Sequence, residues 1–319
     1  MLHYEPKDLS IPEVHKLLLG GVAPRPIALA STISKDGINN LSPYSFFNAF
    51  GANPPVVAFS PSRRGRDATF KDTYNNLIDT KECVIQAVTH SMVEQISLAS
   101  AEYATDVDEF VKSGLTPIDS DLVKPKRVKE SPFQIECKLI EMKSYGDGGA
   151  AANLAICEVL KFHVADDLFT NGVIDPLKID LVARMSGNFY SRAGNGVFEV
   201  EKPIGKKCIG YDQIPKHIRE SEIYSANDLG KFGNSESFPD DKSVKEFIQK
   251  VIDEKQDNFE NNIEAFLRYQ RLNEYKKMLK AAVKINDNEK RNLELAAKCA
   301  LLNNDMNYAW NAALYVKMV

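Results

Sequence analysis

Between residues 25 and 164 the apolar side chains fall into short strand-type runs separated by Gly, Asp and Pro. No other feature narrows the choice of folds as much. Residues 25–32 form a run of small and apolar residues that reaches a turn at Lys35-Asp36-Gly37. Asp-Gly between two strand-like runs predicts a hairpin. Pro54-Pro55-Val56-Val57-Ala58-Phe59 and Cys83-Val84-Ile85-Gln86-Ala87-Val88 are apolar runs of strand length. Phe133, Ile135, Cys137 and Leu139 alternate with Gln134, Glu136 and Lys138, while residues 156–164 are apolar on both faces and read as a more buried strand. The Gly146-Asp147-Gly148-Gly149 cluster supplies the turn between them. Helical patterns are inserted among these runs instead of alternating with them, which favours a β-barrel over a doubly wound sheet. The expected class is mainly β with helices.

The helical patterns have their own punctuation. Ser10-Ile11-Pro12-Glu13 is a capping box with proline in the first turn; Val14, Leu17 and Leu18 form an apolar stripe and Gly20-Gly21 the stop. Asp72 or Thr73 reads as the cap of a short helix containing Leu77 and Ile78, and Ser91-Met92-Val93-Glu94 as a second capping box. Residues 103–131, polar and Pro-bearing, read as a long surface connection. From Ser243 onward, with Glu246 completing a further capping box, Val244, Phe247, Ile248, Val251 and Ile252 recur at helical spacing. Ile263, Phe266 and Leu267 continue the pattern, and residues 293–302 follow Asn286-Asp287-Asn288. No repeat of a recognised period stands out in this tail. The expected division is a domain over 1–235 and an α-helical extension over 240–319.

Composition removes several function classes. The 319 residues are 44% apolar and 26% charged, as in ordinary globular proteins, and the net charge of −4 offers no basic field for nucleic acid or an anionic membrane. The first residues lack a secretory pattern and no apolar run approaches spanning length, so a cytoplasmic location is expected. Five widely spaced cysteines without a Cys-x-x-Cys pair fit reduced thiols better than a disulfide frame or a zinc site. The five histidines are scattered and none pairs with Glu or His at metal spacing, so no metal is expected; His163, in a strand, reads as a satisfied interior histidine. There is no Gly-x-Ser-x-Gly and no Walker loop.

The chemistry concentrates in residues 20–75. A basic loop, Arg63-Arg64-Gly65-Arg66, precedes Lys71-Asp72-Thr73 at the start of a helix, and cations beside first-turn N–H groups suit a phosphate. An ordinary cap on a solvated loop explains the same residues. In Asn40-Leu41-Ser42-Pro43-Tyr44-Ser45-Phe46-Phe47, hydroxyls flank a fixed proline and aromatics come next, which suits a flat ring system; an interrupted edge strand with Phe47 in the core is the plainer account. Gly146-Asp147-Gly148-Gly149-Ala150-Ala151 satisfies a relaxed dinucleotide pattern, but residues 155–164 carry no helical stripe, so it reads as a hairpin turn.

Taken in order, Pro24-Arg25-Pro26-Ile27, Ser31-Thr32, Asp36-Gly37, residues 40–47, Asn53-Pro54-Pro55-Val56-Val57 and Lys71-Asp72-Thr73 resemble the flavin reductase-like family of FMN-binding split barrels, the flavoredoxin type. Glu109-Phe110, residues 114–117, Ser131-Pro132-Phe133 and Glu136-Cys137 extend the match, and Ile209-Gly210-Tyr211-Asp212 with Asn227-Asp228-Leu229-Gly230 occurs in longer members. The resemblance covers about residues 15–230. It implies a Greek-key split β-barrel, usually a homodimer, with FMN at the subunit boundary. By that resemblance Ser31, Thr32, Ser42, Tyr44 and Ser45 line the flavin, and Lys71, Asp72, Thr73 and Arg66 take its phosphate. It also implies NAD(P)H as co-substrate of an NAD(P)H:flavin oxidoreductase, with flavin or a protein as acceptor; no catalytic residue is assigned. Reductases serving two-component monooxygenases carry a His in the loop that here reads 146–153 without one. The other reading is a non-catalytic FMN carrier or sensor whose helical tail docks a partner.

Overall fold

The computed structural model describes residues 1–255, 257–285 and 289–319. Two compact units divide the chain, residues 1–199 and 200–319. The boundary expected from the sequence lies at 235–240; in the structure Ile214, Ile218, Tyr224, Leu229 and Phe232 lie in the core of the second unit.

In the first unit, helix α1 (Ile11–Gly21) opens on the expected capping box, with Ser10 N donating to Glu13 Oε2 at 2.8 Å. Next come β1 (Ala28–Ile33), β2 (Asn39–Tyr44), β3 (Phe47–Ala52) and β4 (Pro55–Phe59), then α2 (Asp72–Thr80) and β5 (Glu82–Gln86). The short helices α3 (Val93–Leu98) and α4 (Glu109–Ser113) and the two-residue pair β6 (Pro117–Ile118) and β7 (Arg127–Val128) precede the long hairpin of β8 (Phe133–Tyr145) and β9 (Ala152–Val164). Two small ladders come last: β10 (Phe169–Thr170) with β11 (Val173–Ile174), and β12 (Val182–Arg184) with β13 (Tyr190–Arg192).

Seven strands form one antiparallel sheet in the order β2-β1-β5-β8-β9-β4-β3. Its two edges, β2 and β3, are consecutive in the chain and joined only by Ser45 and Phe46. So short a link brings the ends of the two edge strands together, yet they do not hydrogen-bond along their length. The barrel is therefore split along that seam. Register shifts in β8–β9 and in β3–β4 add the local bend that rolling a sheet requires. Alternation decides the rest: Ala28, Ala30, Tyr44, Phe59, Cys83, Cys137 and Cys157 pack on one face with Leu77 of α2, and Leu29, Leu41 and Val88 on the other with α3 and α4.

Several local expectations give way to tertiary contacts. Residues 103–131 are not a plain surface connection: Phe110, Leu115, Val123 and Val128 are buried. Ser91 bonds Thr89 through its hydroxyl instead of closing a capping box, and a 3-10 turn precedes α3. Lys71, not Asp72 or Thr73, occupies the cap position of α2. The outer half of β9 exposes Leu160 and Phe162, so this strand is not buried on both sides. The stripe on α1 buries nothing in this chain.

The second unit contains α5 (Lys216–Arg219), α6 (Ala226–Gly233), α7 (Asp241–Asp253), α8 (Ile263–Arg271), α9 (Tyr275–Lys284), α10 (Glu289–Leu302) and α11 (Met306–Tyr315). Helix α7 is capped by Asp240, whose Oδ1 accepts from Ser243 N at 2.8 Å, so Ser243 lies inside the helix. The expected break at Asn286-Asp287-Asn288 lies outside the described residues. The tail does contain a repeat. Helices α8 and α9 end at Arg271 and Lys284, α10 and α11 at Leu302 and Tyr315, so the second hairpin repeats the first 31 residues on. Buried positions obey the same offset: Ala265, Phe266, Tyr269, Met278, Leu279, Ala281 and Ala282 correspond to Ala296, Ala297, Ala300, Ala309, Trp310, Ala312 and Ala313. Both inter-helix turns place an asparagine at positive φ, Asn273 at 59° and Asn304 at 55°. The repeat is hard to read from the chain because large and small residues exchange places between the copies, as in Phe266 against Ala297. Phe266 is fully buried in this core. Phe266→Ala should therefore cost about 3–5 kcal/mol of this unit's stability; denaturant unfolding of the full chain that leaves its midpoint unmoved would refute this.

Candidate functional site

The site forms where the barrel is split. Tyr44 ends β2 with its ring buried beside Phe59, centroids 5.4 Å apart, and its hydroxyl donates to Thr73 Oγ1 at 2.9 Å. Burial, opposed by its hydroxyl neighbours Ser42 and Thr73, pushes the Tyr44 phenol above its ordinary range. Asn40 donates to Thr73 Oγ1 and to Thr32 Oγ1, both at 2.9 Å, and Asn76 donates to Thr32 Oγ1 at 3.0 Å. Thr32, Asn40, Tyr44, Thr73 and Asn76 are thus one buried network that fastens α2 to the seam. Thr73 Oγ1 uses its acceptor capacity in this network, which leaves its own O–H and its backbone N–H, in the first turn of α2, as its remaining donors.

Ser45 and Phe46 bridge the seam itself. Ser60 N, just past β4, donates to Phe46 O at 3.0 Å, and Arg25 Nε reaches Ser45 Oγ at 3.4 Å. Ser31 is not brought here. It neighbours Thr32 on β1 and so faces the other side of the sheet, where its hydroxyl donates to Lys126 O.

Residues 60–71 form the cationic wall. The Arg63 guanidinium lies 3.9 Å from the centre of the Phe70 ring, and Phe70 stacks on Tyr74 at 4.0 Å and 7°. Arg63 Nη1 donates to Ala68 O at 2.8 Å, while its buried Nε has no partner among the described residues. Arg64 donates to Phe70 O and pairs with Asp72 at 3.4 Å. The tip of the β8–β9 hairpin closes on this loop: Arg63 N donates to Ala151 O at 2.9 Å and Asn153 Nδ2 to Pro61 O at 3.1 Å. A Cβ at Gly149 would lie 2.4 Å from Gly65 O, so that close approach requires glycine. The Gly-rich turn seen in the sequence is therefore a packing surface for the basic loop.

Lys71 decides the chemistry. Its ammonium sits 5.1 Å from the centre of the Tyr44 ring, and among the described residues no carboxylate lies within 4.0 Å of it. Burial, reinforced by the nearby Arg64 charge and only partly opposed by Glu102, holds its pKa below the usual lysine range. A desolvated ammonium without an acid within reach, at the cap of a helix and near Arg64, is an environment that an anion would complete. Arg66, which the resemblance places on the phosphate, instead lies exposed and paired with Glu102 at 3.2 Å. Arg63 and Arg64, which the sequence offers only as members of the basic loop, fold toward α2; Phe70 and Tyr74, spaced to stack one turn apart, were the available sign.

Residues 20–178 match the family model described as the flavin reductase like domain. An uncharacterized protein of Aquifex aeolicus is 39% identical over 181 residues, 56% of this chain and 90% of its own length. The chain belongs to the flavin reductase-like family. Component B of nitrilotriacetate monooxygenase from Bacillus cereus superimposes with a TM-score of 0.59 at 33% identity, covering 63% of this chain and 98% of that one. A split-barrel-domain protein from Shewanella frigidimarina covers 63% and 100%, with a TM-score of 0.55 and 27% identity. The expected split barrel with C-terminal helices is the observed fold, and over a third of the flavin reductase-like chain lies outside these alignments.

Away from the seam, Asp121, Glu136 and His163 are the one group of potential metal ligands among the described residues. They already satisfy one another and the backbone: Glu136, fully buried, accepts from Asp121 N, Leu122 N and Val123 N at 2.8, 2.6 and 3.1 Å and lies 2.6 Å from His163 Nε2. Asp121 is paired with Lys161. No helix among the described residues is long and apolar enough to cross a membrane.

Proposed function

We propose that this protein is an FMN-binding oxidoreductase in which NADH or NADPH reduces the bound flavin and the electrons pass on to free flavin or a protein acceptor. The observation that carries it is Lys71: a desolvated cation with no acid partner, at the cap of α2 and beside Arg64, in a flavin reductase-like barrel. The donor set suits the cofactor's phosphate, and the aromatic seam suits its ring. Lys71, Arg64, Arg63 and the first N–H groups of α2, at Asp72 and Thr73, would hold the phosphate. Ser42, Tyr44, Ser45 and Phe46 would border the ring, with Thr32 and the Thr73 hydroxyl supporting Tyr44 from behind. Bound FMN supplies the hydride-accepting chemistry; the chain positions it and sets its electrostatic surroundings.

The site is open on the side of β3, an apolar edge strand exposed along most of its length, with Phe50 68% accessible. Leu17 and Leu18 of α1 are each 48% exposed, and α1 adjoins the seam through His15 against Phe46 at 6.4 Å. Uncovered edge strands and apolar helix stripes are liabilities for a solitary chain. A homodimer in which the second copy covers this side, closing the flavin site, accounts for both.

Anaerobic rapid mixing of the flavin-loaded protein with NADH or NADPH tests the enzyme reading, which expects bleaching of the flavin at a catalytic rate. No bleaching with either nucleotide would leave the carrier or sensor reading, which the absence of a histidine from residues 146–153 favours. A purified protein that neither carries FMN nor binds it when supplied would overturn both.

A further inference from the structure

Arg25 is 4% exposed and has no carboxylate partner among the described residues. Its guanidinium is spread over four acceptors from three separate parts of the first unit. Nη1 donates to Leu19 O at 2.7 Å and Val22 O at 2.5 Å, Nη2 to Met185 O at 2.9 Å, and Nε to Ser45 Oγ at 3.4 Å. The carbonyls of Leu19 and Val22 lie at the C-terminal end of α1, where unpaired acceptors and the helix dipole favour a positive charge. The backbone of the same residue is fixed as well: Arg25 N donates to Arg184 O at 3.0 Å and Arg184 N to Arg25 O at 2.9 Å. The guanidinium carbon also stands 5.9 Å from the centre of the Phe46 ring. A buried arginine held by three carbonyls and a hydroxyl is costly to keep, because none of these acceptors carries a charge to neutralise it. Burial, with the neighbouring Arg184 charge, lowers its pKa accordingly.

Its position suggests why it is kept. Ser45 and Phe46 are the whole connection between the unpaired edges of the barrel: Phe46 O is held from the β4 side by Ser60 N, while Ser45 is reached through its hydroxyl by Arg25. Arg25 ties this connection to the end of α1 and to residues 184–185. We propose that Arg25 is a positioning residue that holds the Ser45–Phe46 link in the shape against which the ring of the flavin is seated. The inference rests on the flavin reading above and assigns to Arg25 the ring end of the site, as distinct from the phosphate end at Lys71. A planar five-donor fork can satisfy carbonyls and a hydroxyl lying in different directions; an ammonium cannot. Lysine at this position therefore keeps the charge and loses the geometry.

The test compares FMN with riboflavin, which has the same ring and no phosphate, by fluorescence titration of the full chain. Arg25→Lys should weaken both by about tenfold, leaving their affinity ratio unchanged, and should alter the shape of the bound flavin's long-wavelength absorption band. Ser45→Ala removes one contact without touching the other three, and should alter that band in the same direction with a smaller loss of affinity; it serves if Arg25→Lys fails to fold. Unchanged bands and affinities in a folded Arg25→Lys protein, or in Ser45→Ala if only that variant folds, would overturn the assignment. So would a loss confined to FMN, which would place Arg25 at the phosphate. A wild-type protein that binds neither flavin would overturn the flavin reading itself, and this inference with it.

Discussion

Replacing Lys71 with alanine should weaken FMN about 10–100-fold and leave riboflavin binding nearly unchanged. Hydrogen bonds to charged groups contribute about 1.5–3 kcal/mol, and each 1.4 kcal/mol is tenfold in affinity. The upper part of the range applies because Lys71 is already desolvated and no acid competes for it: a phosphate arriving at this ammonium displaces no existing ion pair. Arg66→Ala provides the contrast, since that side chain is exposed and engaged with Glu102 and Asp67. Thr73→Ala is a poor probe of the same contact. It would leave the buried donors of Asn40 and Tyr44 unmet, so stability falls whether or not phosphate binds there. Parallel titrations of the two flavins decide the matter. Equal losses for FMN and riboflavin in Lys71→Ala, or none for either, would sink the phosphate assignment.

The second large effect is expected far from the flavin. Glu136→Ala should destabilise the first unit by about 3–5 kcal/mol, the range for removing one partner of a buried charged cluster. Three successive N–H groups, at Asp121, Leu122 and Val123, and the His163 ring converge on this fully buried carboxylate. Without it these donors lose the acceptor they share. Burial alone raises the Glu136 pKa, but the bonds from Asp121 N, His163, Leu122 N and Val123 N together outweigh burial and bring it below its ordinary value of 4.5. Because the folded value lies below the unfolded one, this contribution is complete above 4.5 and is lost as the pH falls through the folded value. The stability gap between wild type and Glu136→Gln should then narrow in acid. Urea unfolding at neutral pH and below 4.5 measures it; a gap that stays constant or widens in acid would show that the ionised carboxylate is not what the 121–123 backbone requires.

Much of the barrel was legible because it is governed by short-range rules. The Asp36-Gly37 turn, the strand over residues 133–139 and the Ser10–Glu13 capping box each rest on neighbours in the chain, and each appears where the spacing places it, although the polar Gln134 and Glu136 of that strand are buried like their apolar neighbours. The pieces that resist reading are those whose chemistry depends on distant partners. Residues 103–131 look like a solvated connection until Glu136 and the α3–α4 packing gather them. The doubled helical hairpin stays hidden because burial, not residue identity, repeats at the 31-residue offset.

The candidate site divides in the same way. The chain alone determined that a strand-rich domain would place hydroxyls, aromatics and a basic loop close together in residues 40–73, since composition and spacing suffice for that. Tertiary structure decided the roles. Strand alternation sent Ser31 to the opposite face from Thr32; the buried network took the acceptor side of the Thr73 hydroxyl; the acid at Glu102 drew Arg66 away, while ring stacking directed Arg63 toward α2. Whether a side chain is available to a ligand depends on which partners reach it first, and those partners stand tens of residues away along the chain.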